Sequence, residues 1–258
     1  MKKIFLSLFL IVIIILGIYI FKTQTQLKNY LAIKTNTPTT TTTSTTPNNV
    51  ITAITDKIIS EDKDNYTIDV HYPITQNQTI DDNIFSNIEK QINEFKEDVK
   101  IPSPNSAKTT LIISYETIFN QDDILSLKFA SEAYTGGAHP SHLIWTKNFE
   151  VSKQVEVAFE DVIVNETMLK SISEYAINHF TSQKQDYKFF MEGFDPKKDN
   201  YKTFALNDKG IIFYFNEYQI APYYAGNFEI LMPYEKIDLS DSETTNESAN
   251  EEVINITE

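Results

Sequence analysis

The chain has 258 residues, 36 acidic against 22 basic, a net charge of −14 and no cysteine. Every basic residue is lysine, so no guanidinium fork is available for bidentate phosphate recognition, and the acidic surface excludes nucleic acid as a partner. Without thiols there is no disulfide, no thiol nucleophile and no lipidated cysteine; the fold must hold by packing, and the negative field suits a basic protein partner.

In chain order, the first element is the apolar run Ile4–Phe21, IFLSLFLIVIIILGIYIF. As a helix it would span ~27 Å at ~1.5 Å per residue, close to a hydrocarbon core of ~30 Å. Lys2 and Lys3 precede it and argue for a cytoplasmic N-terminus, leaving residues 1–3 as a stub. Lys22-Thr23-Gln24-Thr25-Gln26 follows, with no small-x-small cleavage signal. The expectation is an uncleaved, single-pass signal anchor in the cell membrane, with the C-terminal domain outside the cytoplasm. Residues 22–49 then read as a linker, because the tract TNTPTTTTTSTTPNN from Thr35 to Asn49 has no apolar surface to bury. At the other end, 238–258 carries seven acids and no lysine, the composition of a disordered tail.

The folded part is expected over 50–237. Alternation predicts strands at Tyr66, Ile68, Val70 and Tyr72; at Leu111, Ile113 and Tyr115; and at Leu125, Leu127 and Phe129. Further strands are predicted at Leu143 and Trp145, and at Val155, Val157 and Phe159. Phe204 and Leu206 face Ile211, Phe213 and Phe215 across Asn207-Asp208-Lys209-Gly210, a hairpin signal in which glycine supplies positive φ. Phe228, Ile230 and Met232 make the last strand. Two helices stand out. Ile84, Ile88, Ile92, Phe95 and Val99 recur every three or four residues, with Asp81 or Asp82 as cap and Pro102 as stop. Met168, Leu169, Ile172, Tyr175, Ala176, His179 and Phe180 share one face of the second, with Asn165 as cap. The order implies an α+β fold: after the transmembrane helix, two small antiparallel-sheet units, 50–143 and 144–237, each packed with one helix.

Few residues point to chemistry. His139 and His142, in GGAHPSH, are metal-ligand types, but no third ligand accompanies them in sequence. The plainer reading is a structural turn built from Gly136, Gly137, His139 and Pro140. Gly136-Gly137 lacks the Lys-Ser/Thr and helix of a phosphate loop. Ser131, Ser141 and Ser152 lie in no nucleophile elbow. Asp81-Asp82 and Asp122-Asp123 fall at a helix start and a turn, where carboxylates cap. No catalytic residue, metal or cofactor is assigned. The segment Tyr218–Gly226 differs from these. It places Tyr218, Tyr223 and Tyr224 around Pro222, with Gly226 turning the chain back. Tyrosine offers large contact area at low entropy cost, and proline stiffens the loop. Folded inward, the same rings would instead edge a core.

Tyr134-Thr135-Gly136-Gly137-Ala138-His139-Pro140, together with Asp208-x-Gly210, Tyr218-x-Ile220-Ala221-Pro222, Gly226 and Pro233-Tyr234, carries a resemblance. The chain looks like the paired extracytoplasmic domains of RsiV-like anti-sigma factors and PdaC-type peptidoglycan deacetylases. In RsiV that ectodomain is a receptor for lysozyme, and a loop enters the enzyme's cleft. The resemblance implies the same place for Pro222, Tyr223 and Tyr224. RsiV-type proteins also have a sigma-binding cytoplasmic domain, where this sequence has Met1-Lys2-Lys3, and PdaC-type enzymes a separate deacetylase domain, for which nothing after Ile237 leaves room. Neither activity is expected to carry over. The implied function is a membrane-anchored binding module for a basic protein such as lysozyme, or for peptidoglycan, through Tyr218, Pro222, Tyr223, Tyr224 and Gly226. The alternatives are an enzyme on wall glycan using His139 and His142 with a metal, or an assembly partner of another envelope protein.

Overall fold

A computed structural model of the chain describes residues 50–51, 53–100, 107–182 and 184–238. The membrane run Ile4–Phe21, the linker 22–49, Pro102 and the tail beyond Asp238 lie outside the described residues. Among the described residues no helix is long and apolar enough to cross a membrane.

Six strands form the larger sheet, in the order of the chain: β1 Thr55–Asp62, β2 Tyr66–Ile74, β3 Thr109–Gln121, β4 Ile124–Tyr134, β5 Ser141–Glu150 and β6 Val155–Glu156. Between β2 and β3 runs helix α1, Gln78–Asp98. Its Ile80, Ile84, Ile88, Ile92 and Phe95 recur at helical spacing and bury against Ile68, Val70, Leu111, Ile113, Leu127 and Phe129. The helix returns the chain to its starting end, so β2 and β3 pair in parallel while the other neighbours are antiparallel. This corrects the expectation of a purely antiparallel first unit. The cap of α1 is Asn77, whose side chain accepts from the Ile80 amide; Asp81 instead accepts from the amide and hydroxyl of Thr75.

The second sheet is antiparallel throughout: β7 Phe204–Leu206, β8 Gly210–Phe215 and β9 Phe228–Pro233. Before it come short helix α2, Phe159–Val162, then α3, Glu166–Thr181, and α4, Lys198–Tyr201. Asn165 caps α3, accepting from Met168. Met168, Ile172, Ala176 and Phe180 face the sheet; His179, expected on that face, is exposed, and Ser173 is buried instead, bonded to the Phe194 carbonyl. The expected strand through Val155, Val157 and Phe159 stops at Glu156, because Phe159 opens α2, where Asp161 accepts from the Ala158 amide.

The two sheets pack together where β7 meets β3, β4 and β5. A shift of register between Thr117 and Phe119 bends the β3–β4 hairpin, and Phe119 and Ile124 join the second core with Phe213, Phe215 and Met168. β7 lies across β4 and β5, where Asn148 donates to the Phe204 carbonyl and accepts from the Leu206 amide. A division between 143 and 144 therefore cuts through β5, which pairs along its length with β4. The β7–β8 turn is closed by Asn207, whose side chain accepts from the Lys209 and Gly210 amides. Gly210 does not take positive φ there. It is small because a Cβ would lie 2.1 Å from the Met232 carbonyl oxygen on the paired strand.

Candidate functional site

The loop joining β8 to β9 meets the turn joining β4 to β5. Sequence separates them by about eighty residues, and the free edge of β5 brings them together. Asn216, just past β8, docks on that edge as a strand would. Its side chain accepts from the Ile144 amide at 2.6 Å and donates to the Ile144 carbonyl at 2.9 Å. Glu217 continues the docking, accepting from the His142 amide at 3.1 Å and from His142 Nδ1 at 2.6 Å. His142 Nε2 faces the Glu132 carboxylate at 3.5 Å on the neighbouring strand. The histidine is thus held between two carboxylates, one of them nearly buried.

Other bonds fix the root of the loop from below. Gln219 accepts from the Asn216 amide and donates to the Asn200 carbonyl. The Phe190 amide donates to the Ile220 carbonyl. Gly193, in the turn Met191–Phe194, approaches so closely that a Cβ would fall 2.0 Å from the Gln219 carbonyl oxygen. Ile220 and Ala221 are buried.

From this root the tyrosines diverge. Tyr218 takes φ 63°, a left-handed conformation unfavourable for a side chain with a Cβ, and its residue is 58% exposed. Tyr224 is 69% exposed. Tyr223 is half-buried: its ring stacks on His139 with centroids 3.8 Å apart, and its hydroxyl donates to the Pro140 carbonyl at 3.0 Å. Burial first, then the Glu217 carboxylate and the neighbouring Tyr218 phenol and Glu132, raise the Tyr223 phenol above its ordinary value, so it stays a neutral donor. His139 Nδ1 shares the Pro140 carbonyl at 2.8 Å, which places its proton on that nitrogen. The turn itself rests on Gly136 at φ 96°. Pro222 starts the turn Tyr223–Ala225, and Gly226, at φ 75° and ψ −158°, ends it.

The structure therefore brings the Tyr134–Pro140 turn against the Tyr218–Gly226 part of the second motif, leaves Asp208-x-Gly210 and Pro233-Tyr234 at the far end of the β8–β9 pair, and separates the tyrosines into one anchor and two exposed rings. It adds residues that sequence reading passed over, Asn216, Glu217 and the segment carrying Tyr187, Phe190 and Met191, and pairs His142 with Glu132. Tyr187 lies edge-on to Tyr224 at 6.1 Å, and Phe190 and Met191 are exposed beside the loop root. Among the described residues no group of three or more His, Asp or Glu side chains is placed to hold a metal ion. His139 and His142 point to separate partners.

Comparison with known proteins matches the chain in two parts. Residues 59–142 match the family described as deacetylase PdaC, and residues 160–235 the family described as a protein of unknown function, DUF3298. The chain is 28% identical over 167 residues to the peptidoglycan-N-acetylmuramic acid deacetylase PdaC of Bacillus subtilis, covering 62% of this chain and 36% of that protein. It is 24% identical over 197 residues to the anti-sigma-V factor RsiV of the same organism, covering 71% of this chain and 68% of that one. The chain thus spans about a third of PdaC's length. A crystal structure of a DUF3298 family protein from Pseudomonas aeruginosa superposes with a TM-score of 0.50 at 13% identity, covering 71% of this chain and 92% of that one, and shares the fold. The paired domains that the sequence resembles are present.

Proposed function

We propose that this chain, whose folded part joins a PdaC-type domain to a DUF3298 domain, is an extracytoplasmic binding module and not an enzyme. Its ligand is a basic protein of the lysozyme kind, which receives the Tyr218–Gly226 loop. The observation that carries the reading is the pairing of two exposed phenols, Tyr218 and Tyr224, with a root in which Asn216, Glu217 and Gln219 are already bonded. A loop so fixed loses little conformational freedom on binding, and aromatic rings supply most of the contact energy in interfaces of this kind. Carboxylates lie beside the loop: Glu217 and Glu132 on His142, and near the Tyr223 phenol. They favour a cationic partner by steering and by rejecting acidic ones. The likeness to the anti-sigma-V factor RsiV, with the lysozyme-receptor role that the sequence resemblance implies, supports the same choice.

The test is binding of the chain to lysozyme, with and without Tyr218→Ala/Tyr224→Ala. Retention by the parent chain, inhibition of lysozyme on cell walls, and loss of both in the variant are the expected results. Binding that the variant retains, or no binding at all, refutes the reading. Retention on purified peptidoglycan instead would make the wall polymer the ligand, as the likeness to PdaC suggests. The alternative, a wall-glycan enzyme using His139 and His142 with a metal, is tested by elemental analysis of the purified protein.

A further inference from the structure

Nine large apolar side chains are exposed among the described residues. Five of them, Ile58, Phe85, Ile112, Leu143 and Val155, sit singly on β1, α1, β3, β5 and β6. The other four are Tyr218 and Tyr224 of the loop, and Phe190 and Met191 of the segment bonded to its root. Scattered apolar residues are ordinary on a surface; a group of four is not. Met191 is 46% exposed, and its mount is rigid. The Phe190 amide donates to the Ile220 carbonyl at 2.8 Å, and the Gly193 amide to the Phe190 carbonyl at 3.1 Å. The Asn200 carboxamide donates to the Glu192 and Asp195 carbonyls. Phe194, which closes the turn, is fully buried, and its carbonyl accepts from the Ser173 and Tyr201 hydroxyls. The turn is thus pinned on both sides of Met191, while nearly half of that residue is left in water.

We propose that Met191 is a second contact for the ligand of the loop and that a peroxide switches this contact off. The inference rests on the binding role given to the loop. It assigns the ligand an apolar patch beside the cleft that receives the tyrosines. A thioether side chain is flexible and polarisable, and it moulds to such a patch. An exposed thioether is also open to oxidation. Of the four methionines in the chain, Met1 lies outside the described residues, and Met168 and Met232 are buried at 0% and 1% exposure. Met191 is therefore the first of the described methionines that a dissolved oxidant reaches. The sulfur lone pair attacks one oxygen of hydrogen peroxide. An S–O bond forms, the O–O bond breaks and the sulfur gives up two electrons. The proton of the transferred hydroxyl passes to the departing oxygen, which leaves as water. The sulfoxide carries no net charge, but its S–O dipole must be desolvated to enter an apolar patch.

Oxidation of the full chain with dilute hydrogen peroxide, removed before lysozyme is added, tests this. Peptide mapping should find one added oxygen on the Met191 segment before any on Met168 or Met232. Lysozyme retention should then fall about five- to tenfold, with the thermal melt unchanged. Met191→Gln, which places a polar side chain there without oxidant, should bind as weakly as the oxidised parent. Met191→Leu should bind like the untreated parent and keep its affinity through the peroxide step. Three results overturn the contact and leave the loop reading standing: retention that survives oxidation of Met191, a Met191→Gln chain that binds like Met191→Leu, or a Met191→Leu chain that peroxide weakens as much as the parent. A melt that falls with the binding overturns it too, since loss of fold would then account for the effect. No retention by the untreated parent refutes the loop reading and this contact with it.

Discussion

The root and the crown of the β8–β9 loop follow opposite rules. At the root, Asn216 and Glu217 use their side chains on β5 and Gln219 on the Asn200 carbonyl of α4, and Ile220 and Ala221 are buried. At the crown, Tyr218 and Tyr224 leave their rings in water, one of them on a strained backbone. Buried polar groups are costly unless paired, so the root is what a fold needs. Exposed rings and stored strain are what a fold alone would avoid, and they gather where a ligand is met. The contrast implies that stability and binding separate by residue within one loop.

The largest effect should come from below the root. Gly193→Ala would place a Cβ 2.0 Å from the Gln219 carbonyl oxygen and 2.9 Å from the Ile220 side chain. Overpacking of that kind costs about 1–3 kcal/mol or more, and both the melting temperature and lysozyme retention should fall together. Asn216→Ala should come next. It strips the Ile144 amide and carbonyl of their partners on the β5 edge, a loss of about 1–3 kcal/mol. Calorimetry that found either variant as stable as the parent would show that the root does not hold the loop.

Much of the fold was legible because its signals are local. The periodicities of α1 and α3, the cap at Asn165 and most strands follow from side-chain spacing alone. β1 was not legible: it is an edge strand, largely exposed, and Lys57, Ile58 and Ile59 break the alternation that burial would impose. The parallel pairing of β2 with β3 was hidden because it depends on which way a 21-residue helix carries the chain. In the site, the Tyr and Gly residues announced themselves by composition and by family resemblance. Asn216 and Glu217 did not, since nothing near them in sequence tells that the edge of β5 lies within reach. His179 shows the same limit: helical spacing placed it on the apolar face, and the face proved narrower than the pattern.

At the crown the effects should fall on binding. Tyr218→Gly removes an exposed ring and relieves the left-handed backbone, so stability should hold or rise by up to about 1 kcal/mol. Lysozyme retention should nevertheless drop, by about tenfold if the ring contributes the 1.4 kcal/mol or so expected of an interfacial tyrosine. Tyr224→Ala should weaken binding to a similar degree and leave the stability within about 0.5 kcal/mol of the parent. A stability loss in either variant without a binding loss would reverse the assignment of root and crown.

Tyr223 is the residue on which the comparison turns, because it sits between the two. Its hydroxyl is bound to the Pro140 carbonyl and its ring to His139, as in a root, yet it is half-buried and flanked by both exposed tyrosines. Tyr223→Phe deletes only the hydroxyl. The Pro140 carbonyl keeps its bond from His139 and remains partly solvated, so the cost should be about 0.5–1.5 kcal/mol. If the ring acts only as an anchor, that small loss appears in a thermal melt while lysozyme affinity stays within about twofold, well under 1 kcal/mol. If the hydroxyl exchanges Pro140 for the ligand on binding, affinity falls with little change in melting. The two measurements on one variant therefore say on which side of the boundary Tyr223 belongs.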